Sequence, residues 1–152
     1  MEYIKIVLTF IVCFLIYLLS PLESNSSLDY ELPAKPLQVY NSLTNSYFPR
    51  SKIAVGLNKE ILKENENVLI EVIESEVPFK FAFEIKNSSR FSDYSYFYAI
   101  QESPDGTSHL NVKMKWSPES GLKGKILNRF FYKQENENHL ETEREILLSQ
   151  FK

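Results

Sequence analysis

Residues able to do chemistry are sparse in this chain and scattered along it. His109 and His139 stand apart, with no H-E-x-x-H spacing and no cysteine partner, so the compact donor set that a zinc ion needs is missing. The single cysteine, Cys13, lies inside an apolar run, which leaves neither a disulfide framework nor a thiolate metal site for the rest of the chain. Glycine occurs only 4 times, with no G-x-G-x-x-G or G-K-S/T run whose backbone amides could cradle a phosphate. No G-x-S-x-G elbow presents a serine. Glu71, Glu74 and Glu76 fall among apolar residues as the wet face of a strand does, rather than as an acid and base pair. These patterns assign no catalytic residue, no metal ligand and no cofactor.

The polar residues that do stand out lie late in the chain. Ser117-Pro118 supplies a cap and a first-turn proline, after which Leu122, Ile126, Leu127, Phe130 and Phe131, then Leu140, Leu147, Leu148 and Phe151, recur at helical intervals. The apolar stripe breaks between Phe131 and Leu140, where Lys133, Gln134 and Glu137 continue it, and Arg144 falls beside Leu140 and Leu147. Leaving a buried polar group unpaired costs about 1–3 kcal/mol, so polar side chains on a core-facing stripe call for water, a ligand head group, or a bend that exposes them. Glu137 and Arg144 are the expected polar anchors, with an intrahelical Glu141–Arg144 pair as the competing role for the arginine.

Positioning such groups falls to strands upstream. Phe79, Phe81, Phe83 and Ile85 alternate with period two and put their side chains on one face. Tyr94, Tyr96, Tyr98 and Ile100 repeat the alternation, Pro104-Asp105-Gly106 turns the chain, and Leu110, Val112, Met114 and Trp116 alternate against Asn111, Lys113 and Lys115: an antiparallel hairpin. Before them, Leu28–Leu32 reads as a short extended piece, Pro36 opens a helix with Leu37, Tyr40 and Leu43 at helical spacing, and Asn45–Arg50 reads as a tight turn. Ile53–Val55, Glu60–Glu64 and Val68–Ile73 read as strand pieces.

Composition bounds the class of function. Hydrophobic residues make up 43% and aromatics 14% of the 152 residues, enough apolar surface for one folded core. Seventeen bases against 20 acids, net −3, argue against a general nucleic-acid binder, which needs a surplus of Lys and Arg. Charge is uneven, however: Lys113, Lys115, Lys123, Lys125, Arg129 and Lys133 face only Glu119 in their stretch, a basic patch suited to anionic head groups. From Ile6 to Leu19 only Thr9 is not hydrophobic, which predicts a membrane anchor or a signal peptide over residues 1–24, with Ile6, Phe10, Phe14 and Tyr17 among its membrane-facing residues. Lys5 before it and Glu23, Asp29 and Glu31 after it predict a single-pass chain with the following domain, 25–152, outside the cytoplasm, or exported if the leader is cleaved.

The stretch Leu28–Thr44, with its P-A-x-P-like turn at Pro33–Pro36 and V-Y-x-x-L-like pattern at Val39–Leu43, resembles the opening of the SRPBCC superfamily, also called START-like or polyketide-cyclase-like. Tyr47–Arg50 resembles that group's second short helix, and Asp105–Leu110, Ser117-Pro118 and Gly121–Leu127 are similar to its last hairpin and helix start. The resemblance implies an α+β helix-grip fold: a curved antiparallel sheet of six or seven strands around a long C-terminal helix, here preceded by a hydrophobic N-terminal helix. One departure is plain, since Glu84–Asp93 leaves little room for a further strand. The resemblance further implies a cavity for a hydrophobic small molecule or lipid, with a lining of Phe79, Phe81, Phe83, Tyr96, Tyr98, Val112, Met114, Trp116, Leu127, Phe130, Gln134, Glu137 and Arg144. The reading is a monomeric, membrane-tethered or exported binding domain; the alternatives are a cyclase- or aromatase-like enzyme and an interaction module whose cavity has collapsed.

Overall fold

Alternation of apolar and polar residues builds a single antiparallel sheet. The computed structural model describes residues 2–20, 24–63 and 65–152. Strands β1 (Asn25–Leu32), β2 (Asn58–Lys63), β3 (Glu66–Glu76), β4 (Lys80–Lys86), β5 (Phe91–Glu102) and β6 (Ser108–Pro118) lie in the order β1-β6-β5-β4-β3-β2. From β2 to β6 the chain meanders, and β1 closes onto β6 in antiparallel register, Leu28 opposite Val112. The inner face carries Val68, Ile70 and Val72 of β3, Phe81, Phe83 and Ile85 of β4, Tyr94, Tyr96, Tyr98 and Ile100 of β5, and Leu110, Val112, Met114 and Trp116 of β6, all buried. The outer face is wet and carries exposed ion pairs, such as Lys86 with Glu71 at 2.9 Å and with Glu84 at 2.8 Å.

Between β1 and β2 runs α2 (Pro36–Tyr47), begun by Pro36 in its first turn and by the Gln38 side chain, which accepts from the Lys35 amide at 3.0 Å. Residues 45–47 complete this helix rather than forming a turn, because the Tyr47 ring packs 4.4 Å from Phe83. Residues 47–50 accordingly end α2 in a turn, with Arg50 at φ 59°, and form no second helix. Ile53–Val55 forms no strand either. Bonding to β3 starts only after it, at Gly56, whose amide donates to Val72 O, and at Leu57, whose carbonyl accepts from Val72 N. Glu64 lies outside the described residues. The short segment after Phe83 finishes β4 and turns through Asn87 at φ 65°, so the sheet stops at six strands.

The C-terminal helix is long and irregular as one rod: α3 (Leu122–Leu127), a π-helical turn (Asn128–Tyr132) and α4 (Lys133–Gln150). Gly124 permits the rod's start, because a Cβ there would collide with the Glu119 carbonyl oxygen. Along the rod the buried residues are Gly124, Asn128, Tyr132, Asn136, Leu140 and Leu147. Steps of four overshoot an α-helical turn by about 40° each, about 160° from Gly124 to Leu140, and the wider π turn absorbs part of that drift. Phe130 and Phe131 are therefore rotated outward, 48% and 60% exposed, against the expectation of an inward Phe130.

The leader is helical, α1 (Glu2–Leu19), and meets α3 at its end: Leu18 is buried, and the Arg129 guanidinium lies 4.0 Å from the Tyr17 ring and donates to Ser20 O at 3.1 Å. Its 18 residues rise about 27 Å, short of the ~30 Å hydrocarbon layer, and Lys5 sits near its start. No helix among the described residues is long and apolar enough to cross a membrane. This corrects the single-pass location expected from the leader: Ile6, Phe10 and Phe14 are exposed on a helix too short to span. Pro21 to Glu23 lie outside the described residues.

Candidate functional site

Register brings aromatic rings together on the inner face. Phe83 opposes Tyr96 and Phe81 opposes Tyr98 across the β4–β5 ladder, with ring centroids 4.9 and 5.9 Å apart and nearly parallel planes. Tyr47 enters over this platform from α2, and α4 lays Glu143 against it. Tyr98 Oη donates to Glu143 Oε1 at 2.7 Å, Tyr47 Oη reaches the same oxygen at 3.2 Å, and the two hydroxyls are 2.9 Å apart. Two hydroxyl protons serve three contacts. The short bond takes the Tyr98 proton, so Tyr47 shares its own between Tyr98 Oη and Glu143 Oε1.

Glu143 Oε2 and, nearby, Tyr30 Oη are buried without any hydrogen-bond partner, as is Asn136 Nδ2 about two helical turns earlier. Burial pushes the Glu143 carboxyl above the ordinary carboxylate range, against the bonds from Tyr98 and Tyr47 and the more distant Lys63 charge, which pull it down. Burial, reinforced by the Glu143 charge, likewise holds Tyr98 and Tyr47 well above the usual phenol range, and Tyr30 is raised for the same reasons. The hydroxyls are thus neutral donors at physiological pH, not bases or nucleophiles. Taking a carboxylate out of water costs on the order of several kcal/mol, and two hydroxyls on one oxygen offset only part of that. The network continues along β5, where Tyr94 and Tyr96 hydroxyls meet at 3.0 Å, Lys63 Nζ lies 5.2 and 5.8 Å from their rings, and His139 sets its edge 6.2 Å from Tyr96.

A cleft of about 210 Å³ opens between α2 and α4, with Glu143 and Tyr47 in its wall beside Leu43, His139, Ile146 and Leu147. A second groove, about 350 Å³ and polar, runs between β1 and α4 past Ser26, Gln134 and Glu137. Of the residues expected at the site, Phe81, Phe83, Tyr96, Tyr98, Val112, Met114 and Trp116 share the buried inner face, and Leu127 packs half-buried against it. Phe79 is exposed in the β3–β4 turn, Phe130 points to solvent, and Gln134 and Glu137 line the β1–α4 groove instead of the aromatic platform. Arg144 pairs with Glu141 at 2.8 Å. Glu143, Tyr47, Tyr30 and Asn136 were not anticipated. Glu143 and Arg144 stand about 50° to either side of the midline between Leu140 and Leu147, so helical spacing cannot choose between them. The closely spaced tyrosines of β5 were the available signal, since buried phenols demand polar partners.

No family model matches the chain, and no curated protein matches it in sequence. Solved structures do. A Rhizobium loti protein superposes with a TM-score of 0.63 at 10% identity, over 84% of this chain and 96% of that one. A START superfamily protein from Mycobacterium smegmatis gives 0.57 at 10% identity, covering 84% of this chain and 99% of its own. The fold is the START-like helix grip. Ara h 8.0201 shares it as well, with a TM-score of 0.56 at 11% identity over 82% and 92% of the two chains. Identities this low carry the fold alone, which matches the resemblance drawn from Leu28–Thr44 and the last hairpin.

Proposed function

We propose that this START-like chain binds a small, largely apolar molecule that enters between α2 and α4 and is held by its polar end at Glu143. The observation that carries this is the buried carboxylate with one oxygen bonded to Tyr98 and Tyr47 and the other left without a partner, in the wall of an apolar cleft. A fully closed core would have no use for a half-satisfied acid there. The cleft's 210 Å³ lies below the ~300–1,000 Å³ of pockets for drug-sized ligands, so the guest is a single ring system or a short chain rather than a whole two-chain lipid. Binding is favoured over acid-base catalysis because the two groups that reach Glu143, the Tyr98 and Tyr47 hydroxyls, are held neutral by burial and supply no base to work with it.

The test is organic extraction of the purified full chain with mass spectrometry of what co-purifies, alongside titration with the apolar fluorophore Nile red. A co-purifying small molecule, or saturable one-site Nile red binding that Ile146→Trp weakens at the cleft mouth, is expected. Nothing extracted together with no saturable binding overturns the reading in favour of a collapsed, non-binding interior.

A further inference from the structure

We infer that the molecule taken up at Glu143 carries a basic nitrogen, an ammonium at the end of a small apolar body. The inference rests on the binding function proposed above and narrows it to one chemical class. Glu143 has no base at ion-pair distance among the described residues: its neighbour Arg144 is held by Glu141 at 2.8 Å, and Lys63 lies over the Tyr94 and Tyr96 rings. Both hydroxyls that reach the carboxylate are on Oε1, so on the ionised acid the empty position at Oε2 takes a donor.

Head groups then differ in what they leave unsatisfied. A carboxylate or phosphate meets a like charge. An alcohol fills the empty position with one hydrogen bond and leaves the acid's charge uncompensated in a low-dielectric wall. An ammonium does both, and the Tyr47 ring in the same wall gives it a π face, while Leu43, Ile146 and Leu147 suit the apolar body.

A matched series separates these cases: 2-(1-naphthyl)ethylamine, 2-(1-naphthyl)ethanol and 3-(1-naphthyl)propanoate, titrated into the full chain at pH 8 by calorimetry or naphthalene fluorescence. The amine is expected to bind about tenfold or more tightly than the alcohol, the range of a desolvated charge pair, with the propanoate weakest. Glu143→Gln is expected to bring the amine within about twofold of the alcohol. Should that variant fail to fold, Ile146→Trp, at a half-exposed position on the mouth, is expected to weaken all three together. Equal amine and alcohol affinities, a preference for the propanoate, or an amine preference that survives Glu143→Gln overturns the ammonium assignment and leaves the binding function standing. An amine affinity untouched by Ile146→Trp overturns the assignment to this cleft. If none of the three binds while Nile red still binds saturably, the ammonium assignment falls and the binding function stands.

Discussion

The two ends of the C-terminal rod bury polar side chains on opposite terms. At the π turn, Asn128 uses both ends of its amide: Oδ1 accepts from Trp116 Nε1 at 2.6 Å and Nδ2 donates to Ser24 Oγ at 3.0 Å. Around it Phe91, Tyr94, Trp116 and Tyr132 close an edge-to-face cluster, with Phe91 5.0 Å from Tyr132 and the Arg90 guanidinium 4.7 Å over the Tyr132 ring. Fifteen residues further on, Glu143 has one oxygen twice bonded and the other bare, beside a cleft. A buried polar group whose every atom is paired holds the rod to the sheet. One that is half paired leaves a polar position open, and the binding proposed above rests on that contrast.

The largest expected effect is at the closed end. Phe91→Ala removes a ring packed on three others and should cost about 3–5 kcal/mol in urea denaturation, whereas Ile146→Ala, half-exposed at the cleft mouth, should cost under about 1 kcal/mol. Similar losses at both would erase the contrast. Asn128→Ala should cost about 1–3 kcal/mol by stranding the Trp116 N–H, read from the urea midpoint and from altered tryptophan fluorescence. Tyr47→Phe should cost less, about 0.5–1.5 kcal/mol, because Tyr98 still serves Glu143 Oε1.

The smallest change expected is one of sign. A carboxyl whose folded pKa lies above its unfolded one binds more protons when folded, so its contribution is most favourable below the ordinary glutamate range near 4.5 and is lost as pH rises through the raised value. Glu143→Gln should therefore raise stability relative to the unsubstituted chain at pH 8 and lose that advantage toward pH 4. Loss of stability at pH 8 would make Glu143 a paired structural acid like Asn128 and remove the distinction between the two ends.

Much of this molecule was legible before its coordinates. Strands β4, β5 and β6 announced themselves by period-two alternation, because a sheet with one dry face leaves no other pattern. The helix grip followed from the loose motifs at Leu28–Thr44 and the last hairpin. The leader was legible as a helix and misread as a span, since an apolar run states hydrophobicity while crossing requires length as well. Phe130 and Gln134 were assigned to the interior by carrying one helical phase through residues 122–151, and the π turn at Asn128–Tyr132 broke that phase.

What the sequence alone determined is therefore the strands β4, β5 and β6, their antiparallel succession and the aromatic character of the sheet's inner face, because these depend on short-range periodicity. Which acid of the C-terminal helix faces that aromatic wall was decided only by the tertiary structure. Glu143 and Arg144 are equivalent on a helical wheel, and it took the packing of α4 against Tyr47 and Tyr98 to turn one inward and leave the other to Glu141.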